Sequence, residues 1–263
     1  MRLLILVCCF LLNSLVFASS AKPEFDNEKA LSISQAAIGN QPENHVFTRA
    51  DGSPTTLNDF RGKPLVLSMI YTSCYHICPM TTQHLSKVVQ KAREALGDDS
   101  FAVAIVGFDT QVDTPQAMQY FANKQSISDK GWNLLSISQE GVEALSKDIG
   151  FQFFPSSNGF DHLIQASIID AEGRVYRQVY GQVFETPLLI DPLIELVLGR
   201  APPEQSLLDG LARKIKLFCT TYDPVRDGYY FDYSIFLGLF IGGTIIIFTG
   251  VVVVRGLRKN EPA

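Results

Sequence analysis

The chain has 263 residues, 46% apolar and 19% charged, with a formal net charge of −5 and a pI near 5.4. That is enough for one sizeable globular domain with accessory segments, and too apolar for a disordered chain. The acidic balance excludes a blanket basic surface, so a nucleic-acid partner is not expected.

Met1 and Arg2 precede the apolar run Leu3 to Leu12, and the small residues Ala18, Ser19, Ser20 and Ala21 follow. This layout predicts a secretory signal peptide over residues 1–21, cleaved after Ala18 or Ala21 and taking Cys8 and Cys9 with it. Residues 22–40 are polar and mixed and read as an N-terminal extension. A turn at Gly52, Ser53 and Pro54 and a polar connector over residues 57–63 come next, followed by an apolar run at 64–71 that predicts a buried strand. Pro79 then opens a helix to about Leu96, with Leu85, Val88, Val89 and Ala92 in 3.6-residue register.

The run Phe101 to Phe108 predicts a second buried strand, and Pro115 a second helix through Ala122. A third strand at 132–136 and a short helix at 141–149 follow, then a hairpin formed by 163–170 and 174–180, and a closing helix at 187–198. The order predicts an α/β domain over residues 41–198, with a central mixed sheet flanked by helices.

After a connector at 199–233, residues 234–254 run 21 positions without a charge, the length of a transmembrane helix. Asp223, Asp227 and Asp232 precede this stretch, Arg255, Arg258 and Lys259 follow it, and Tyr229, Tyr230, Phe231 and Tyr233 stand where an interfacial belt would lie. The charge asymmetry puts the tail at 255–263 in the cytoplasm and the folded domain on the far side of the cell membrane, a single-pass arrangement.

Without Cys8 and Cys9, the exported part holds Cys74, Cys78 and Cys219, too few for a disulfide framework. A close pair of cysteines in an oxidising compartment points instead to redox or metal chemistry. Pro79 keeps Cys78 out of the helical region and near a helix cap, so both thiols face the positive end of a helix, which favours thiolate. Three intervening residues let the sulfurs converge on one ion, and thiolate with imidazole suits copper or zinc, while a disulfide between them is also sterically allowed. His76, His84 and Met80 are near in sequence, and Asp113-Thr114-Pro115 is a good helix start in its own right. Cys219 reads as a lone membrane-proximal thiol, a transient third sulfur for an incoming metal or a partner for mixed disulfides, and the sequence does not choose among them.

The blocks Tyr71-Thr72-Ser73-Cys74-Tyr75-His76-Ile77-Cys78-Pro79, Asp109-Thr110-Gln111-Val112-Asp113-Thr114-Pro115 and Asp161-His162, in that order, resemble the Sco/SenC family of thioredoxin-like copper chaperones for cytochrome c oxidase. The resemblance implies a thioredoxin-like fold and a copper site of Cys74, Cys78 and His162, with Asp109 as a supporting or partner-docking residue. It implies delivery of Cu(I) or Cu(II) to the binuclear copper centre of an oxidase subunit, with other copper chaperones or a thiol reductase as further partners. The alternative within the same family is a thiol-disulfide oxidoreductase acting on that centre's cysteines through Cys74 and Cys78. Family members commonly carry an N-terminal anchor, whereas this chain places its apolar span at the C-terminus.

Overall fold

Residues 65–70, all but Ser68 apolar, form strand β3 (Leu65–Ile70), and every one of its side chains is buried. The computed structural model describes residues 25–127, 131–157, 159–198, 220–223, 228–231 and 234–259. The expected signal peptide, the tail beyond 259 and Cys219 lie outside the described residues. Strand β4 (Ala102–Gly107) pairs in parallel with β3 along its whole length, and β5 (Trp132–Ile137) pairs in parallel with β4. On the other side of β3, β8 (Gln165–Ile169) and β9 (Val175–Tyr180) form an antiparallel hairpin. Its turn is fixed by Asp170, whose carboxylate accepts from the backbone of Glu172 and Arg174 at 3.0 and 2.8 Å.

Two strands that the apolar pattern did not announce complete the sheet, β1 (Val46–Arg49) and β2 (Pro54–Thr56). The seven-stranded order is β2-β1-β5-β4-β3-β8-β9. The two innermost strands, β3 and β4, are buried on both faces, which requires cover from helices on both sides. Helix α2 (Ile77–Leu96) buries Leu85, Val88, Val89 and Ala92, the stripe its 3.6-residue spacing predicts. Helix α3 (Pro115–Gln125) packs on β5, α4 (Gln139–Asp148) follows that strand, and α5 (Thr186–Leu198) packs on α2.

Part of the expected N-terminal extension is ordered. Helix α1 (Asn27–Ala36) is capped by Asp26, whose carboxylate accepts from the amides of Glu28 and Lys29 at 3.0 and 3.1 Å. It buries only Ala30 and Ser34, too narrow a stripe to register as periodicity. Polar bonds and close approach hold it instead. The Tyr180 hydroxyl donates to Ser34 Oγ at 2.9 Å, and Gly150, at φ +67°, lies so close that a Cβ there would stand 2.7 Å from the Ile33 carbonyl.

The stretch expected as a plain connector contains an antiparallel hairpin, β10 (Thr220–Asp223) with β11 (Gly228–Phe231). Helix α6 (Ser234–Lys259) follows, 26 residues long. Among the described residues no helix is long and apolar enough to cross a membrane.

Candidate metal and thiol site

Strand β3 ends at Ile70, just before Tyr71, and α2 begins at Ile77 rather than at Pro79. A proline in the first turn costs no hydrogen bond, because the amides there have no intrahelical acceptor. Pro79 therefore sits inside the helix, and Cys78 is in the first turn, buried, instead of in the loop as expected. Cys74 remains in the loop and is partly exposed. His76 occupies the cap position, yet its side chain makes no capping bond. The sulfur of Cys74 serves as the acceptor, with the Cys78 amide 3.3 Å from Sγ.

These donors split the two thiols. Cys74 is lowered to about 4, first by the Cys78 thiol that donates to it, then by the amides of Cys78 and His76 and the hydroxyl of Tyr71, against an opposing effect of burial. Cys78 moves strongly upward, because its proton is held on the bond to Cys74 and because it is buried. One proton is shared, and the pair is a thiolate at Cys74 beside a thiol at Cys78. Tyr71 is raised to about 12 by burial and by the neighbouring Cys74, and its oxygen accepts from the Phe160 amide.

Tyr71 thus joins the cysteine loop to a small hairpin absent from the expected elements, β6 (Phe153–Ser156) with β7 (Gly159–His162). His162 ends β7, opposite Phe153, among the rings of Tyr71, Phe108 and Phe151 at centroid distances of 6.1, 5.4 and 5.4 Å. Its Nδ1 lies 2.8 Å from the Leu163 carbonyl, which can only accept, so Nδ1 carries the proton and Nε2 keeps its lone pair. Burial lowers the His162 pKa, while the Leu163 bond and the negative charges of Cys74 and Asp161 oppose that shift. The ring is therefore neutral at pH 7, the form that binds metals. Among the described residues no group of three or more His, Cys, Asp or Glu side chains stands ready to hold a metal ion. Cys74 and Cys78 are brought together, and His162 feels the Cys74 charge from across Tyr71 without completing a closed set.

The second sequence block meets the cysteine loop through Asp113. The carboxylate of Asp113, 2% exposed, accepts from the amide and hydroxyl of Thr72 at 2.7 and 2.6 Å and from the Asp109 amide at 2.8 Å. Asp113 is thereby the brace of the cysteine loop, while Asp109 contributes its backbone. Thr114, not Asp113, caps α3, accepting from the Ala117 amide. Gly107 is required beside this brace, since a Cβ there would lie 2.5 Å from that of Asp113. The other candidates are drawn elsewhere. The His84 ring contacts the Phe184 carbonyl at 2.8 Å, and the Met80 sulfur accepts from Gln182 at 3.1 Å. His76 is exposed. Sequence reasoning missed Tyr71 as a member of the site; its only signal was its place at the strand end before the cysteine loop.

A family model described as SCO1/SenC matches residues 35–193. A SCO1 protein homolog of Bacillus subtilis (strain 168) is 26% identical over 151 residues, 55% of this chain and 76% of the relative. Among solved structures, a SCO1/SenC family lipoprotein from Bacillus anthracis str. Ames aligns with a TM-score of 0.55 and 26% identity, covering 60% of this chain and 95% of that one. Arabidopsis thaliana ScoI, solved with copper bound, aligns with a TM-score of 0.53 over 60% of this chain and 99% of that one; at 19% identity it bears on the fold alone.

Proposed function

The chain belongs to the SCO1/SenC family, and on that premise we propose that it carries copper on Cys74 and Cys78 with His162 as third ligand. The acceptor is the binuclear copper centre of cytochrome c oxidase, supplied during its assembly. The observation that carries the reading is the donor set. A stabilised thiolate at Cys74, a second sulfur at Cys78 and a neutral imidazole with Nε2 free form a soft set that fits copper.

In this reading Cys74 takes the ion first, being already deprotonated and accessible. Cys78 follows with loss of the proton it shares, and the β6–β7 hairpin brings His162 in as the Tyr71 hydroxyl gives way. Transfer to a site of similar ligands needs only a small free-energy difference and an open approach, which the loop position of Cys74 supplies.

We read α6 as the anchor. Its described large apolar side chains, from Phe236 through Phe240 and Ile246 to Val251, are exposed around the helix, a distribution suited to lipid. With residues 1–21 as a signal peptide, the domain at 41–198 would face the extracytoplasmic side and the tail at 255–263 the cytoplasm.

A second reading, thiol-disulfide reduction of the acceptor's cysteines, is favoured by the division between a nucleophilic Cys74 and a protonated Cys78 able to resolve a mixed disulfide. Titration of His162→Ala separates the two. Copper affinity is expected to fall by at least roughly tenfold while the rate of thiol-disulfide exchange changes little. Unchanged copper affinity would remove His162 from the ligand set.

A further inference from the structure

Beside Cys74 lies a cleft of about 410 Å³ between the start of α2 and the length of α3, lined by Cys74, Tyr75, Pro79, Gln83, Tyr120 and Lys124 among others. Tyr75 is 91% exposed and Tyr120 68%. Ile77 and Met80 on α2, Val112 on the loop entering α3 and Val183, next to the Gln182 that bonds Met80, are also large, apolar and exposed. Elsewhere in the described part of residues 41–198 only Val46 and Leu188 are comparable. Apolar exposure in this domain is thus gathered about the reactive sulfur, as at a surface that meets a partner. Lys124 is exposed, and among the described residues no carboxylate pairs with it. The cleft therefore has the Cys74 sulfur on one wall, an unmatched ammonium on another, and tyrosines beside them.

We propose that this cleft docks an extended segment of the partner polypeptide, with a cysteine of that segment at Cys74 and a carboxylate at Lys124. The proposal rests on the reading of Cys74 as the exchanging sulfur and adds which partner segment it accepts. The charges fix the direction. With the partner's cysteine at Cys74, a carboxylate displaced along the segment toward α3 meets the Lys124 ammonium on the same cleft. The tyrosines supply the contact area, with few rotamers to immobilise.

The test uses the full-length reduced protein in detergent and synthetic cysteine peptides activated as 2-pyridyl disulfides. The peptides are identical but for one glutamate or lysine moved in turn along the segment. Cys74 attacks the peptide sulfur, a Cys74–peptide disulfide forms as the peptide–pyridyl bond breaks, and pyridine-2-thione leaves with the electron pair and takes a proton from water. Cys78 then displaces the peptide thiol and leaves the Cys74–Cys78 disulfide. At one position the glutamate peptide is expected to react roughly fivefold faster than its lysine counterpart at low salt. Lys124→Glu is expected to reverse that order, Lys124→Gln to abolish it, and Tyr120→Ala to slow both peptides. The uncharged 2,2′-dithiodipyridine should react equally with wild type and both Lys124 variants, which controls for folding. Equal rates for the two peptides at every position, or a preference that survives Lys124→Glu, would overturn the proposal. Absence of copper binding by the wild type would instead sink the copper reading and leave a peptide preference standing.

Discussion

Replacing Cys74 and Cys78 together by serine is expected to abolish copper binding by the full-length chain. A serine hydroxyl is a poor ligand for a soft ion and stays protonated at pH 7, so the site would be left with the imidazole of His162 alone. The single variants should differ. Cys78→Ser keeps the accessible sulfur but removes the strongest influence on its thiolate, the thiol that donates to it. Cys74→Ser removes the accessible sulfur and leaves only a buried one, whose pKa burial still raises after its bond to Cys74 is lost. The second change should therefore cost more than the first. Equilibrium dialysis against a copper buffer, followed by metal analysis, checks the series. Undiminished copper in the double variant would contradict a cysteine-based site.

Asp113→Ala is expected to destabilise the domain by about 2–4 kcal/mol, since it removes a buried carboxylate that serves three part-buried donors. Those donors are the Thr72 amide and hydroxyl and the Asp109 amide. The cavity adds to the cost, because Asp113 packs against Gly107 at the end of β4. Asp113→Asn keeps an oxygen for Thr72 and turns an amide toward that of Asp109, so its loss should lie between alanine and wild type. Urea unfolding of the three proteins measures the order. An alanine variant within 0.5 kcal/mol of wild type, roughly the scatter of surface substitutions, would show that Asp113 is not a brace. Because Thr72 is two residues from Cys74, the same loss should loosen the cysteine loop.

The central sheet was legible because its strands are continuous apolar runs. Residues 64–71 and 101–108 were expected as strands and form Leu65–Ile70 and Ala102–Gly107. The α2 stripe was legible for the same reason, and the closing helix at 187–198 corresponds to Thr186–Leu198. Elements held by polar contacts rather than by a broad apolar face were not visible. Helix α1 depends on its Asp26 cap and on Ser34, and β2 has only three residues. The β6–β7 hairpin takes its place from Phe153 and Phe160, which pack with Phe108 across the chain.

At the site, the three blocks singled out Cys74, Cys78 and His162 as candidates, whereas the different environments of the two sulfurs depend on bonds that no spacing encodes. Pro79 suggested a helix start two residues late, since proline is tolerated throughout the first turn. Asp113 looked like a cap because caps are its commonest use, and only the fold brings Thr72 within its reach. Tyr71 gained its role from the Phe160 amide, which lies far along the chain.

X-ray absorption at the copper edge of the Cu(I)-loaded full-length protein tests the ligand set most directly. A first shell of sulfur from Cys74 and Cys78 and nitrogen from one imidazole is expected, with the imidazole scattering lost in His162→Ala. A shell of sulfur alone in the wild type, or an imidazole that persists in His162→Ala, would contradict it.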